Sequence, residues 1–143
     1  MNASEPGIIP QAVSLQADAA EARRQEIPIL LYVTRPDCPY CARLEKEVLN
    51  PLIRSRDYEG RMLIREVDWA STEPITGFQG QPVLPDDLVR GYGVMVTPTM
   101  IFVSPAGEAL TDLMVGYNGS EFYEFYLNRT LVRATLALAK LLE

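Results

Sequence analysis

Ile29-Leu30-Leu31-Tyr32-Val33-Thr34-Arg35-Pro36-Asp37-Cys38-Pro39-Tyr40-Cys41 is a short apolar run leading into a CxxC pair that holds both cysteines of the chain. The run from Ile29 to Thr34 reads as a buried central strand, and Arg35-Pro36-Asp37 as the loop that leaves it. Pro39 suits the first turn of a helix, where its missing N–H is not needed. Cys41, Leu44, Val48 and Leu52 then recur at steps of three and four, one face of that helix. The cysteines therefore sit at a helix N-terminus, where unpaired N–H groups and a partial positive charge favour a thiolate. Two thiols at this spacing close a small disulfide ring, so a mixed disulfide on one is resolved by the other. Cys38, at the mouth of the turn, is the candidate nucleophile, and Cys41, a turn into the helix, the candidate resolving thiol. Asp37 disfavours a second negative charge beside it and Arg35 offsets that, which leaves the direction of the net shift open. Pro51 removes an intrahelical hydrogen bond, so the helix is expected to kink or end near it.

Upstream, Pro10 is followed by Ala12, Leu15, Ala19 and Ala22, spaced for a leading helix that ends before Pro28. Residues 1–9 are expected to be a flexible N-terminus and 10–143 a single domain. Downstream, Arg61 to Trp69 reads as a second strand. A Gly- and Pro-rich loop, long for a compact domain, then runs from Ala70 to Pro85 before a short helix around Asp86 to Tyr92. Thr99 to Val103, the turn Ser104-Pro105-Ala106-Gly107 and Leu110 to Tyr117 read as an antiparallel hairpin, which makes the sheet mixed. Asn118 or Ser120 is placed to cap a final helix whose Tyr123, Leu127, Leu131, Ala134, Leu138 and Leu141 form an apolar stripe.

Composition narrows the function. With 143 residues and 48% hydrophobic content, the chain suits one continuous core. A net charge of −6 argues against phosphate-backbone partners, which need a basic face. The absence of histidine removes Ser-His-Asp and Cys-His triads and His-ligated zinc, and two cysteines could close a structural zinc site only with carboxylates or a second subunit. No run of about 18 apolar residues is present, so the expectation is a soluble chain. Met1-Asn2-Ala3-Ser4-Glu5-Pro6 lacks the basic and apolar regions of a secretory signal, and a single CxxC pair fits either redox compartment. Asn118-Gly119-Ser120 and Asn128-Arg129-Thr130 match a glycosylation sequon, but the first reads as a turn and helix cap and the second lies within a predicted helix.

The strand into CPYC, the segment Tyr92-Gly93-Val94-Met95-Val96-Thr97-Pro98-Thr99, the hairpin, and Gly116-Tyr117 before the last helix follow in an order that resembles the thioredoxin superfamily, over nearly everything after Pro28. The resemblance implies an α/β thioredoxin-like fold: a central mixed β-sheet flanked by helices, with an extra N-terminal helix and a loop insertion before the cis-proline. It implies that Pro98 is cis and packs beside the disulfide, that Thr97 pairs its backbone with an extended substrate segment, and that Pro39 and Tyr40 belong to the substrate-binding surface. From the residues alone, Pro98 reads equally as an ordinary strand-entry proline. Within the superfamily, Asp37-Cys38-Pro39-Tyr40-Cys41, the hydrophobic helix to Leu52 and the late Gly-Tyr are most similar to bacterial SoxW-type proteins, associated with sulfur oxidation and the periplasm. Asp37 before Cys38, and Tyr32 where typical thioredoxins carry a buried acid, depart from the pattern, so the family's proton relay does not carry over unchanged.

The function this resemblance implies is a thiol-disulfide oxidoreductase acting on protein disulfides as a reductase, through Cys38 and Cys41 and with no bound cofactor. Its partners would be protein thiols or disulfides and an upstream or downstream redox protein. A monomer in the bacterial periplasm is expected, its leader removed, with the cytoplasm as the alternative. Three alternatives stay open: a redox-inactive adaptor, a glutathione-dependent reductase suggested by CPYC, and a disulfide isomerase suggested by Thr97 before the proline. Against glutathione stand the chain's length, Thr97-Pro98 in place of Thr-Val-Pro, and Gly116-Tyr117-Asn118-Gly119-Ser120-Glu121, which lacks a glycine pair followed by an acid. Trp69, Phe78 and the loop from Ala70 to Pro85 either shape a partner groove or form a surface insertion with Trp69 in the core.

Overall fold

A computed structural model describes residues 8–143. The expected flexible segment 1–9 thus falls almost wholly outside the described residues, and within it Ile9 is a buried core residue. Four strands form the main sheet in the order β2-β1-β5-β6, with β1 at Ile29–Thr34, β2 at Leu63–Asp68, β5 at Thr99–Val103 and β6 at Met114–Val115. β1 runs parallel to β2 and antiparallel to β5, so the sheet is mixed. All residues of β1 are buried, as its unbroken apolar run requires of a strand covered on both faces.

Side-chain alternation sorts the core into two clusters. Leu30, Tyr32, Ile64, Met100 and Phe102 face one side, where α2 (Pro39–Leu44) and the last helix α5 (Ser120–Leu141) supply Leu44, Leu127, Leu131 and Ala134. Ile29, Leu31, Val33, Val67 and Ile101 face the other, where α1 (Leu15–Gln25) and α4 (Pro85–Gly91) supply Leu15, Ala22 and Val89. Each fully buried leucine contributes about 2 kcal/mol of burial free energy.

Several local expectations are corrected. The leading helix starts at Leu15, capped by the Ser14 hydroxyl, and Ala12 lies ahead of it. Tertiary pairing outweighs the helical spacing: the Ala12 N–H donates to the Glu66 carbonyl at 2.9 Å and the Glu66 N–H to that of Pro10 at 2.8 Å, strapping this segment to the free edge of β2. The CPYC helix passes Pro51 by widening into a π-turn, Glu45–Leu49, and resumes as α3 (Asn50–Ser55), so the proline does not end it but stands in the first turn of α3. β2 begins at Leu63. The loop from Ala70 to Pro85 contains a two-stranded ribbon, β3 (Ile75–Thr76) with β4 (Pro82–Val83), tied back by Thr76 N–H to the Val13 carbonyl.

The returning arm of the hairpin is interrupted, pairing at Ala109 and again only at Met114–Val115. Neither Asn118 nor Ser120 caps α5: Gly119 occupies that position at φ +123°, and the Ser120 hydroxyl is engaged by Tyr117. Leu141, at the end of the apolar stripe, is 56% exposed.

Candidate active site

The parallel strands β1 and β2 end beside the start of α2, and the Thr97–Pro98 turn leads into β5 next to them. Cys38 occupies the N-cap of α2 in extended backbone, and its Sγ accepts the Cys41 N–H at 3.2 Å. The two cysteines form a disulfide with their Cα atoms 5.2 Å apart, a separation that fits such a bond. Cys38 is half-buried, whereas Cys41 is buried at 1% exposure, so the pair presents one sulfur to partners and withholds the other.

The Thr97–Pro98 peptide bond is cis, Pro98 is buried, and the Thr97 hydroxyl donates to Cys38 Sγ at 3.4 Å. The Pro98 carbonyl in turn accepts the Gly116 N–H at 2.8 Å, linking this turn to the residue just past β6. Pro39 is exposed, and Tyr40, Met95 and Val96, from the two segments that meet at Cys38, leave large apolar side chains in solvent.

Beneath the disulfide, a cleft of about 610 Å³ opens between the ends of β1 and β2 and the helix, lined by Thr34, Arg35, Cys41, Glu45, Glu66 and Asp68 among others. The Tyr32 hydroxyl donates to Glu45 at 2.7 Å and lies 3.3 Å from the Cys41 carbonyl oxygen. Burial, reinforced by the Glu45 carboxylate, pushes the Tyr32 phenol well above its ordinary range, so it stays protonated and acts as a donor. Burial also raises Glu66, and the carboxylates of Glu45 and Asp68 add to this against a lowering hydrogen bond from Gln11.

Two flanks frame the cysteines. On one, the Tyr117 hydroxyl donates to Glu47, which also meets Arg43 at 3.4 Å, while the Arg43 guanidinium lies 5.5 Å from the Tyr117 ring centroid. On the other, Arg35 lies 4.8 Å over the Trp69 ring, whose N–H donates to Asp86 at 2.8 Å, and these residues line a hollow of about 360 Å³. Trp69 therefore stands beside the site while also packing against the second core cluster. Phe78 is turned away, onto the hairpin turn at Gly107.

All six residues proposed from sequence fall at this end of the sheet: Cys38, Pro39, Tyr40 and Cys41 at the start of α2, Thr97 and Pro98 on the opposing turn. Sequence reasoning misses Glu45 and Glu66. Glu45 follows Cys41 by one helical turn and is open to detection by spacing, whereas Glu66 comes to the cleft only through the strand register that sets it beside Tyr32. Among the described residues, no group of three or more His, Cys, Asp or Glu is placed to hold a metal ion, and no helix is long and apolar enough to cross a membrane.

A family model described as a thioredoxin-like domain matches residues 15–130. Among solved structures, the chain is similar to a thioredoxin from Thermus thermophilus, with 23% identity, a TM-score of 0.63, and coverage of 87% of this chain and 89% of that one. It is similar to a DsbH oxidoreductase at 18% identity and a TM-score of 0.62, covering 95% and 93% of the two chains. The reduced periplasmic thioredoxin SoxS from Paracoccus pantotrophus is 22% identical with a TM-score of 0.53, covering 75% of this chain and 98% of its own. No curated protein matches the sequence. The chain belongs to the thioredoxin-like family, and with a disulfide across the start of α2 it has the constitution of a thiol-disulfide oxidoreductase.

Proposed function

We propose that this protein reduces disulfides in protein partners, cycling Cys38 and Cys41 between dithiol and disulfide, as one domain spanning residues 10–143 that acts as a monomer. The observation that carries this reading is the asymmetry of the pair: Cys38 is accessible and touched by Thr97, while Cys41 is buried behind it. Cys38 attacks the partner disulfide as a thiolate, favoured by the helix N-terminus. Cys41 then attacks Cys38 in the mixed disulfide, and the partner leaves reduced. Thr97 and the cis-Pro98 hold an extended substrate segment, with Pro39 and Tyr40 completing its surface. The electrons travel in the dithiol, which an upstream redox protein restores.

Likeness to thioredoxins supports the reducing direction, and likeness to periplasmic SoxS supports a bacterial periplasmic location close to SoxW-type proteins. A Cys41→Ser variant tests the mechanism. It is expected to accumulate mixed disulfides through Cys38 in cells, visible as adducts that dissolve on reduction. If none accumulate, and partner binding survives in both Cys38→Ser and Cys41→Ser, the protein is an adaptor.

A further inference from the structure

The last helix has two apolar stripes, and the fold uses one. α5 buries Leu127, Leu131, Ala134 and Leu138 against the body of the domain. On its outer side Phe122, Phe125, Tyr126, Val132 and Leu136 are 49% to 66% exposed, along a helix of 22 residues, about 33 Å long. Steps of three and four join Phe122, Phe125, Arg129, Val132 and Leu136, so they stand in one row along the axis. Phe125 and Tyr126 meet edge to face at 5.6 Å, giving the row an aromatic end. The charges along this row are of one sign. From Phe125 to Leu142 the sequence has Arg129, Arg133 and Lys140, all exposed, and no Asp or Glu, in a chain whose net charge is −6. Glu121 and Glu124 stand before this stretch and Glu143 after it.

An exposed apolar row of this extent marks an interaction surface, and its charges say what it meets. A partner helix packed along the row would bury Arg129 at its middle, where an uncompensated cation is costly. A second copy of α5 would set three cations against three. An anionic lipid surface takes both parts of the face. Phe122, Phe125, Val132 and Leu136 enter the boundary between headgroups and acyl chains, while Arg129, Arg133 and Lys140 reach on their flexible stems to the phosphates. Tyr126 brings a polar tip on an apolar ring, which suits the same depth.

We propose that the outer face of α5 docks this protein onto an anionic membrane surface, the helix lying along the surface without spanning it. Its aromatic end shares a hollow with Tyr117, so the docking face begins beside the flank of the active site. Docking involves no redox step and stands independently of the oxidoreductase reading.

The test is co-sedimentation of the full chain, at low salt, with vesicles of phosphatidylcholine alone and of equal parts phosphatidylcholine and phosphatidylglycerol. The wild type is expected to sediment with the mixed vesicles and to stay in solution with phosphatidylcholine alone. Arg129→Gln combined with Arg133→Gln is expected to weaken the binding about 30-fold, at about 1 kcal/mol for each cation near the surface. Phe122→Ser combined with Phe125→Ser is expected to weaken it about tenfold or more. Both pairs are exposed, so thermal unfolding and the reactivity of Cys38 toward Ellman's reagent are expected to match wild type. A wild type that stays in solution with the mixed vesicles overturns the proposal. So does binding that neither pair of substitutions weakens. A wild-type dimer that Phe122→Ser with Phe125→Ser splits into monomers overturns it as well, because a second copy would then cover the face.

Discussion

β2 carries two consecutive charged residues, Arg65 and Glu66, to opposite faces of the same sheet, and their surroundings differ in kind. Arg65 points toward α1 and pairs with Asp18 at 3.0 Å, both side chains being largely buried. Glu66 points toward α2, where the charges bearing on it are two further carboxylates, Glu45 and Asp68. One face thus closes a charge with its counter-ion, and the other leaves a carboxylate with an elevated proton affinity in the cleft that Cys41 also lines. The difference separates a buried charge that has its counter-ion from one whose charged neighbours are of its own sign. The pairing at Arg65 is incomplete compensation, because burial still raises Asp18 despite the adjacent guanidinium.

Breaking the paired side should have the larger effect on stability. Arg65→Ala is expected to cost about 2 kcal/mol in denaturant unfolding at neutral pH, since it leaves the Asp18 carboxylate buried without its cation. The loss should shrink at acid pH, where Asp18 is protonated, while Cys38 reactivity stays at the wild-type level. Gly107→Ala probes the same face. At φ +88° a side chain is strained, and its Cβ would stand 2.8 Å from the Phe78 ring, so a loss of about 1–2 kcal/mol is expected. On the other face, Tyr32→Phe removes the donor to Glu45 and should cost about 1 kcal/mol in the same measurement.

Glu66→Gln should act in the opposite direction. Because the folded-state pKa of Glu66 is raised above 4.5, the native state holds that proton more tightly than the unfolded chain. Stability therefore falls as pH rises through the interval between 4.5 and the raised value, and the deficit persists above it. Glu66→Gln should remove this fall, giving a small gain at neutral pH in unfolding series at several pH values. A variant less stable than wild type throughout would place Glu66 with Arg65 as a structural charge.

The contiguous parts of the site are legible in the sequence itself. β1, its loop and CPYC lie in one stretch, so their order along the chain is nearly their order in space. Thr97 and Pro98 lie far from Cys38 in sequence, and family resemblance brings them to it where residue patterns alone do not. Glu66 requires the register of a parallel pair, which no local periodicity encodes. The same pairing explains the misplaced start of α1: Ala12 has helical spacing, but its backbone bonds to Glu66. Pro51 marks a disturbance of its helix, and the π-turn that absorbs it has no sequence signature of its own.

The reduction potential of the Cys38/Cys41 pair, from equilibration against defined glutathione buffers with trapping of free thiols, bears most directly on the proposed reductase. A value close to that of thioredoxin, about −270 mV, is the expected result, and it would let the dithiol donate electrons to partner disulfides. A value near −120 mV, about 7 kcal/mol away in disulfide stability, would contradict it and make the protein a disulfide donor.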